Sequence, residues 1–375
     1  MDALTTPSNW QRVRLGDIGK PCMCKRVMKH QTTPYGEIPF YKIGTFGNTA
    51  DAFISKKLFL EYKTKYSFPK KGDILISASG TIGRAVIYDG KPAYFQDSNI
   101  VWIDNDETLV KNDFLFYAYS NIKWNTEHTT ILRLYNDNFR NTLIPLPPLN
   151  EQAAIANVLS DVDRYLYSLD ALILKKESVK KALSFELLSQ RKRLKGFNQA
   201  WQRVRLGDIC EITTGSLDAN EMVHYGKYRF YTCAKEYYFI DKYAFDTEAI
   251  LISGNGAYVG YVHYYKGKFN AYQRTYVLDN FSEHIIFVKY FLTMFLQSHI
   301  QTNRNEGNTP YIVMATLKDF EILLPPLNEQ IAIANILSAL DSEIISLKNK
   351  KRQFENIKKA LNHDLMSAKI RVLNK

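Results

Sequence analysis

Two glutamate–glutamine pairs are the residues whose types and spacing first suggest chemistry. They close the repeated segment LPPLNEQ, which covers residues 146–152 and again residues 324–330. Two carboxylates held close together could act as a general acid and a general base. Each pair, however, follows two prolines and an asparagine, which is typical of a helix start. We therefore interpret six residues as helix-start or partner-docking residues rather than catalytic ones: Asn150, Glu151, Gln152, Asn328, Glu329 and Gln330.

A second set of side chains has the types needed to read nucleotide bases. Arginine and lysine suit guanine, and asparagine and glutamine suit adenine, because their donors and acceptors match the base edges. We expect these side chains to lie in loops bounded by Gly, Ser and Asn. The candidates are Ser79, Thr81, Arg84, Gln96, Asn99, Asn136, Asn138, Arg140, Asn255, Tyr258, Gln273, Arg274, Arg304, Asn305, Asn308 and Thr309. The alternative is that the glycines and hydroxyls of these segments simply form tight turns.

Metal and thiol chemistry is not indicated by the sequence. Cys22 and Cys24 could begin a metal site, but no second cysteine pair or histidine cluster completes it. Four cysteines are also too few for a disulfide framework in a chain of 375 residues. The seven histidines show no spacing for a metal or for a nucleophile. We predict reduced thiols, no metal and no catalytic centre.

The charge balance favours a polyanionic partner. The chain has 49 Lys and Arg against 38 Asp and Glu, a net charge of +11, together with 25 Tyr and 21 Phe. Such a balance suits nucleic acid, although an ordinary basic surface would explain it equally well. The N-terminal segment MDALTTPSNWQR does not resemble a signal peptide, and no apolar run approaches the roughly 18 residues of a membrane span. We expect a cytoplasmic protein without membrane contact.

The chain contains a long internal repeat. WQRVRLGDI begins at Trp10 and again at Trp201, and PPLNEQAAIANVLSDVD from Pro147 matches PPLNEQIAIANILSALD from Pro325. Between these anchors, LISASGTIGRAVIY resembles LISGNGAYVGYVHYY from Leu251. The offset between copies varies from 176 to 191 residues, so the intervening segments differ in length and content. Two large repeats are indicated, rather than the many short units of a solenoid.

Each repeat combines a strand-rich block with a long helix, which predicts an α+β fold. Short runs such as DILIS, NIVWI and AILIS are typical of strands bounded by turn residues. The predicted division is a first block at 1–148, a central helix at 149–196, a second block at 197–326 and a C-terminal helix at 327–375. Both helices end in related segments, LLSQRKRL and LMSAKIRVL, so we expect the final helix to lie near the first block.

The two long helices carry a coiled-coil pattern, because apolar residues recur alternately every three and four positions. The predicted seam contains Leu159, Val162, Leu166, Leu169, Ile173, Leu337, Leu340, Ile344, Leu347 and Phe354. Lysines near the middle of the seam are expected to reach water with their charges. A compact block between the helices favours an antiparallel pair, with a spacer about 42 Å long. The alternative is that each helix packs separately on its own block.

These motifs together resemble the specificity subunit of type I restriction-modification systems. The resemblance rests on two variable blocks, each led by W-x-x-V-R-L-G-D-I and closed by L-P-P-L-N-E-Q before a long helix, and it covers essentially the whole chain. It implies two target recognition domains that read a bipartite DNA sequence and a helical spacer that docks two adenine methyltransferase (modification) subunits. Restriction subunits are a further expected partner. No cofactor is expected in this chain, and S-adenosylmethionine is expected in the methyltransferase subunit.

Two alternatives remain open at the level of sequence. The chain could itself be a DNA methyltransferase or nuclease, although it has no N-P-P-Y-like tetrapeptide and no glycine-rich cofactor turn. It could instead be a coiled-coil adaptor that binds proteins and reads no DNA. Neither alternative explains why the blocks diverge while their boundaries repeat.

Overall fold

The computed structural model describes residues 9–125, 133–303 and 310–372. The chain divides into two compact units, one made of Met1–Asp170 with Lys350–Lys375 and the other of Ala171–Asn349. Each unit therefore combines one strand-rich block with part of each long helix. The two units are described separately below.

The first unit contains nine short strands among its described residues, arranged in three sheets. Their bounds are β1 Gln11–Arg14, β2 Gly19–Met23, β3 Ile38–Tyr41, β4 Phe53–Ile54, β5 Ile74–Ser77, β6 Ala85–Ile87, β7 Tyr94–Phe95, β8 Ile100–Asn105 and β9 Leu143–Leu146. The four-stranded sheet has the order β2-β8-β5-β6, the three-stranded sheet has the order β4-β3-β7, and β1 pairs with β9 alone.

The second unit has a different sheet on a similar frame. Its strands are β10 Gln202–Arg205, β11 Glu211–Thr214, β12 Tyr228–Tyr231, β13 Tyr238–Ile240, β14 Phe245–Ser253, β15 Val262–Ala271, β16 Thr275–Asp279 and β17 Glu321–Leu324. Six of them form one sheet in the order β11-β16-β14-β15-β12-β13. Strands β10 and β17 pair as a separate antiparallel ladder, as β1 and β9 do in the first unit.

Eight helices flank these sheets in the described residues. They are α1 Leu15–Ile18, α2 Lys56–Lys65, α3 Asn112–Tyr119, α4 Asn136–Asn141, α5 Leu149–Leu188, α6 Ile285–Asn303, α7 Met314–Lys318 and α8 Leu327–Met366. Helix α2 starts where the Ser55 hydroxyl accepts a hydrogen bond from the Leu58 amide at 3.2 Å. The predicted α+β class with two long helices is confirmed.

The cores explain why the blocks fold around these helices. In the first unit, buried residues of β5 and β8, such as Ile76 and Ile103, pack with Phe114 of α3 and with Leu159 of α5 and Leu365 of α8. In the second unit, Ile250 and Leu278 pack with Phe287 of α6 and with Leu188 and Leu337 of the long helices. Burial of these large apolar side chains therefore fixes each block to both long helices within its unit.

The long helices run antiparallel within each unit. In the second unit, Glu177 pairs with Lys348 at 2.6 Å, and Lys180, further along α5, pairs with Asp341, which lies earlier on α8. In the first unit, the rings of Tyr165 and Phe354 lie 4.7 Å apart, and Asp170 pairs with Lys351 at 2.7 Å. Contacts thus advance along one helix as they retreat along the other, which confirms the predicted antiparallel pairing.

The lysines of the seam differ from the prediction. They were expected to send their charges into water, but the ammonium groups of Lys176, Lys180, Lys351 and Lys358 are each within ion-pair distance of a carboxylate on the opposite helix. Their side chains are only 27–30% exposed. The opposing carboxylates therefore give these partly buried charges the partners that they need.

Helix α8 meets a length and composition criterion for a membrane span. An 18-residue window of it has a mean hydropathy of 1.3, and 28% of that window is buried inside the protein. A core helix can meet the same criterion, so this is weak evidence of a span. The sequence has no uninterrupted apolar run of this length, and Asp341 on the same helix pairs with Lys180.

Candidate nucleic-acid interface

The first candidate carboxylate, Glu151, is buried in a three-residue cluster. Its side chain accepts a hydrogen bond from the Trp10 indole at 3.0 Å and a bidentate pair of hydrogen bonds from Arg371, one of them 2.8 Å long. The interaction with Glu151 raises the pKa of Arg371. The buried Glu151 carboxylate therefore holds the segment after α8 against the start of the first block. The predicted proximity of the final helix to the first block is confirmed.

Glu329 repeats this arrangement in the second unit. It is fully buried, accepts hydrogen bonds from Arg193 at 2.6 and 3.2 Å, and accepts one from the Trp201 indole at 3.1 Å. Arg193 and Arg371 are 178 residues apart, as are the two glutamates. Because neither glutamate faces solvent, the geometry does not favour acid–base catalysis at these positions.

The glutamines next to them are also used inside the units. The Gln152 amide donates to the carbonyls of Leu109 and Pro147, both at 2.9 Å, and accepts from the Lys111 amide at 2.8 Å. Gln330 donates to the Pro325 carbonyl at 2.9 Å and to Glu283. These bonds fix the loop before α3 or α6 to the helix start.

The six residues do lie at helix starts, as predicted, but the docking role of the glutamates and glutamines and the capping role of the asparagines need correction. The side chains of Glu151, Gln152, Glu329 and Gln330 are buried against their own unit and present no surface to a partner. The helices also begin two residues earlier than the capping interpretation assumed, at Leu149 and Leu327. Asn150 and Asn328 are consequently the second residues of their helices, and both are exposed rather than acting as caps.

A lysine–aspartate–tyrosine network connects each block to both long helices. In the second unit, Asp341 accepts hydrogen bonds from Lys180 and, at 2.6 Å, from the Tyr290 hydroxyl. Burial and the Asp341 carboxylate raise the pKa of Tyr290. In the first unit, Asp163 accepts from Lys358 and, at 2.8 Å, from the Tyr117 hydroxyl. The network sets the angle of α3 or α6 against the spacer helices.

Three polar segments meet at one edge of the first unit. The Ser79 hydroxyl donates to the Asn99 side chain at 2.8 Å, and the Ser79 backbone forms a bridge with Arg133. The Arg133 guanidinium donates to the Ser98 hydroxyl at 2.7 Å. Asn136 and Arg133 line the same cleft, beside Met23 and Ser98. We call this the first loop edge, defined by Ser79, Ser98, Asn99, Arg133 and Asn136.

The second unit brings together the corresponding segments. The backbone of Asn255 forms a bridge with Tyr311, and the Gly254 amide donates to the Arg274 carbonyl at 2.8 Å. The Tyr276 hydroxyl donates to the Ile312 carbonyl at 3.0 Å, which secures the chain after Tyr311 to the sheet. We call this the second loop edge, defined by Asn255, Arg274 and Tyr311.

The other candidate residues lie at various depths around these edges. Thr81 and Arg84 are exposed, and the Arg84 guanidinium donates to the Phe46 carbonyl at 2.9 Å. Gln96 accepts a hydrogen bond from the Ile43 amide at 3.0 Å, so its oxygen is already engaged. Gln273 and Tyr258 are exposed, with the Lys235 ammonium 5.2 Å from the Tyr258 ring centre.

The YNDNFR segment was predicted to be a loop, and this is wrong. Asn136, Asn138 and Arg140 belong to helix α4, because Phe139 is buried in the core and anchors a helical turn. The helix points different residues at different surroundings, so these three candidates do not face one common site. Four further candidates, Arg304, Asn305, Asn308 and Thr309, lie outside the described residues.

Sequence reasoning missed Arg133 and Tyr311. Each pairs through its backbone with the loop after the matching strand, at Ser79 and at Asn255. Arg133 and Tyr311 are separated by the same 178 residues as the repeated helix starts. Extending that offset upstream of LPPLNEQ would have identified both positions, although their types differ.

The described residues contain no group of three or more His, Cys, Asp or Glu placed to hold a metal ion. Burial raises the pKa of the Cys24 and Cys210 thiols to about 12, so neither offers a thiolate at neutral pH. Burial likewise lowers the pKa of His263, whose ring lies 2.9 Å from the Ala234 carbonyl. The polar groups described above are therefore better suited to hydrogen-bonding recognition than to covalent chemistry.

Comparison with known proteins relates this architecture to a family. Residues 7–176 and 198–356 match the model of the type I restriction modification DNA specificity domain. A Haemophilus influenzae chain named as a type I restriction enzyme specificity subunit is 63% identical over 148 residues, which are 39% of this chain and 38% of that relative. The Escherichia coli EcoDI specificity subunit is 40% identical over 162 residues, or 42% of this chain and 35% of the relative.

The aligned segments thus span little more than a third of either relative. A solved structure of a type I restriction-modification S subunit from M. genitalium has the same fold, with a TM-score of 0.65 at 18% identity over 97% of both chains. The family match covers both repeats, including the two ladders and the buried helix starts. The chain therefore belongs to the family of type I restriction modification DNA specificity domains.

Proposed function

We propose that this chain is the DNA-binding specificity subunit of a restriction-modification complex, that it reads a bipartite target, and that it positions adenine methyltransferase subunits on that target. The observation that carries the proposal is the pair of matched loop edges. Both are built from the same three segments on the same frame, yet they contain Asn99 and Arg133, with the buried Ser79 supporting Asn99, in one unit and Asn255, Arg274 and Tyr311 in the other. A constant frame with different polar edges suits two different half-sites.

Direct base contacts would come from the loop edges, because amide and guanidinium groups discriminate base pairs in the major groove. The exposed lysines of helix α2, such as Lys56 and Lys57, would neutralise phosphates and contribute no sequence preference. The family membership and the basic composition support this division of roles.

The proposed partners are two modification subunits and, in a restriction complex, restriction subunits. S-adenosylmethionine would bind in the modification subunit, where the target adenine would be flipped out of the duplex. This chain would then be non-catalytic, and a cytoplasmic location would place it with its DNA. Buried helix starts leave the exposed faces of α5 and α8 as the surface for docking.

Replacing Arg133 tests the proposal directly. Arg133→Ala is expected to relax or alter the preference at the first half-site by about 1–3 kcal/mol and leave the second half-site unchanged. Tyr311→Ala is the matched variant for the second half-site. The readout is sequencing of methylated adenines in cells that carry the complex with each variant. Loss of both half-sites from either variant, with the complex still assembled, would contradict the proposal.

The spacer role has its own test. Inserting a matched heptad in α5 and in α8 adds about 10 Å of helix and is expected to widen the gap between half-sites by about three base pairs. Insertion in α5 alone is the control, because it breaks the pairing of lysines with carboxylates. A changed half-site sequence at a constant gap would refute the spacer model.

A catalytic role is the second candidate function. Purified chain incubated with DNA and labelled S-adenosylmethionine, in the absence of partners, should show no methyl transfer to DNA if the chain is a specificity subunit. An adaptor without DNA reading is distinguished by the partner complex, which should retain duplex DNA in a sequence-selective and salt-dependent manner.

A further inference from the structure

An open cleft in the first unit has a basic wall that the proposed function does not use. It measures about 530 Å³ and lies between β1, β9, helix α4 and the end of α8. Arg12, Lys123, Asn121 and Asn141 line it, and all four are exposed. His363 also lines it, and its ring lies 3.1 Å from the Asp364 carboxylate. The cleft therefore presents cationic and amide donors to solvent.

Arg12 of this wall and its strand neighbour Arg14 have counterparts in the second unit. Arg12 and Arg14 lie on one face of β1, and Arg203 and Arg205 lie on the matching face of β10. In the second unit Arg203 pairs with Glu321 at 2.8 Å. A second pair there joins Arg205 to Asp319 at 3.6 Å.

The first unit carries no such neutralisation. The positions that match Glu321 and Asp319 are Leu143 and Asn141, and Leu143 is opposite Arg14 in the ladder. Within residues 9–125, 133–303 and 310–372, neither Arg12 nor Arg14 lies at ion-pair distance from a carboxylate. Arg12 and Arg14 thus lack the carboxylate partners that Arg203 and Arg205 have in the second unit.

We propose that this cleft, with Arg12, Lys123 and the amides of Asn121 and Asn141 in its wall and Arg14 on the same strand face beside it, binds backbone phosphate of duplex DNA, a contact that the second repeat does not offer. The inference rests on the proposed function, because it assumes that DNA approaches the first unit. It goes further because it assigns a sequence-independent phosphate contact to only one of the two recognition blocks.

Phosphodiester is the anion that the surroundings favour. Asn138 of helix α4 lines the cleft, while Asn136 of the same helix belongs to the first loop edge, so one short helix joins the cleft to the proposed base-reading edge. Side-chain amides and guanidinium groups are common donors to phosphate oxygens. An acidic surface of a partner protein is the competing occupant and is distinguished by the experiment below.

The first experiment removes the two open cations from the full chain. For Arg12→Gln/Arg14→Gln, binding to a mixed-sequence duplex should weaken at least about tenfold. The slope of log affinity against log salt concentration should fall by about 2. Arg203→Gln/Arg205→Gln is the matched control, with the same change in net charge at cations that are already paired, and it should lower the slope by less than half as much. Arg12→Lys/Arg14→Lys should retain most of the slope.

The second experiment gives the first unit the carboxylates of the second. Asn141→Asp/Leu143→Glu should reproduce the loss of affinity and slope without removing any arginine. The side chain of Leu143 is 51% exposed, so this exchange leaves the core unchanged. Asn198→Asp/Gln199→Glu in the exposed segment before β10 adds the same charge away from the cleft and should leave the slope unchanged.

The outcomes distinguish failure of the proposed phosphate site from failure of the proposed function. If wild-type chain binds duplex DNA and Arg12→Gln/Arg14→Gln leaves the slope unchanged while its thermal midpoint is retained, the phosphate site is refuted and the proposed function stands. An equal effect from Asn198→Asp/Gln199→Glu also refutes it, because net charge would then be the cause. Loss of modification-subunit binding with unchanged DNA affinity would identify an acidic protein surface as the occupant instead. A wild-type complex that binds no duplex would refute the proposed function as well.

Discussion

The two units share their frame and differ in their sheets. The first has a four-stranded and a three-stranded sheet, whereas the second has a single six-stranded sheet. Both nevertheless contain a two-stranded ladder next to the helix start, a buried Trp–Glu–Arg cluster and a Lys–Asp–Tyr network. The strands that carry the loop edges vary, while the contacts that fix each block to the helices are repeated.

This difference shows which part of the molecule tolerates change. The constant contacts are buried charges and amides, and removal of one partner leaves the others unsatisfied. The sheets are held by apolar burial, which can be met by many arrangements of strands. A block can therefore acquire new loops without altering its attachment to the spacer, as expected of a protein whose specificity diverges.

The largest expected effect comes from breaking the buried anion cluster. Glu329→Ala leaves Arg193 and the Trp201 indole without their acceptor, and we expect the free energy of unfolding to fall by about 3 kcal/mol. Denaturant unfolding measures it, and Glu151→Ala is the matched variant. If only one of the two substitutions lowers the free energy of unfolding, the two clusters do not stabilise their units equally.

Removal of a buried glutamine should have a somewhat smaller effect. Gln152→Leu keeps the volume but leaves the Lys111 amide and the Leu109 and Pro147 carbonyls without this partner, which we expect to cost about 2–3 kcal/mol. Gln330→Leu should behave similarly in the second unit. Hydrogen exchange of the Lys111 amide gives a local readout, and unchanged protection there would contradict the assignment.

Removal of a tyrosine hydroxyl should lower the free energy of unfolding by a smaller amount, and it compares the Lys–Asp–Tyr networks of the two units. Tyr290→Phe removes one hydroxyl that donates to Asp341 and should cost about 1–2 kcal/mol, because the acceptor is charged. Tyr117→Phe removes the equivalent bond to Asp163. Thermal unfolding of the two variants measures the networks independently, and a shift confined to one unit would show that only that network is stabilising.

The smallest expected effect is a pH dependence at Asp341. Burial raises the pKa of this carboxyl, but hydrogen bonds from Lys180 and Tyr290 outweigh burial and hold the pKa below its ordinary 3.8. The stabilisation from Asp341 should therefore be complete above pH 3.8 and be lost as the pH falls through the lowered pKa of the folded state. Denaturant unfolding of Asp341→Asn should show a deficit at neutral pH that narrows in acid. A constant deficit would exclude this titration.

Particular residues show how far the sequence could be interpreted. The doubled LPPLNEQ and the heptad pattern predicted two long helices that begin near Asn150 and Asn328, and the structure begins them at Leu149 and Leu327. The prediction succeeds because proline and periodic apolar residues act locally. The candidate list gathered Ser79, Asn99, Asn136, Asn255 and Arg274 at the loop edges but missed Arg133 and Tyr311. Those two residues have ordinary local surroundings and gain their position only by pairing with distant strands.

The sequence by itself determined the repeat, the starts of the two long helices, the seam and the basic character of the chain, since each depends on residue type and spacing along a short segment. The predicted helix ends at residues 196 and 375 were wrong, because the helices end at Leu188 and Met366. Only the tertiary structure decided that Glu151 and Glu329 are buried anions, that the seam lysines pair across antiparallel helices, and that Arg12 and Arg14 lie open where Arg203 and Arg205 are neutralised. The physical reason is that hydrogen bonds and ion pairs depend on atoms brought together from more than 100 residues apart. The spacing of residues along the chain does not specify which of these distant atoms meet.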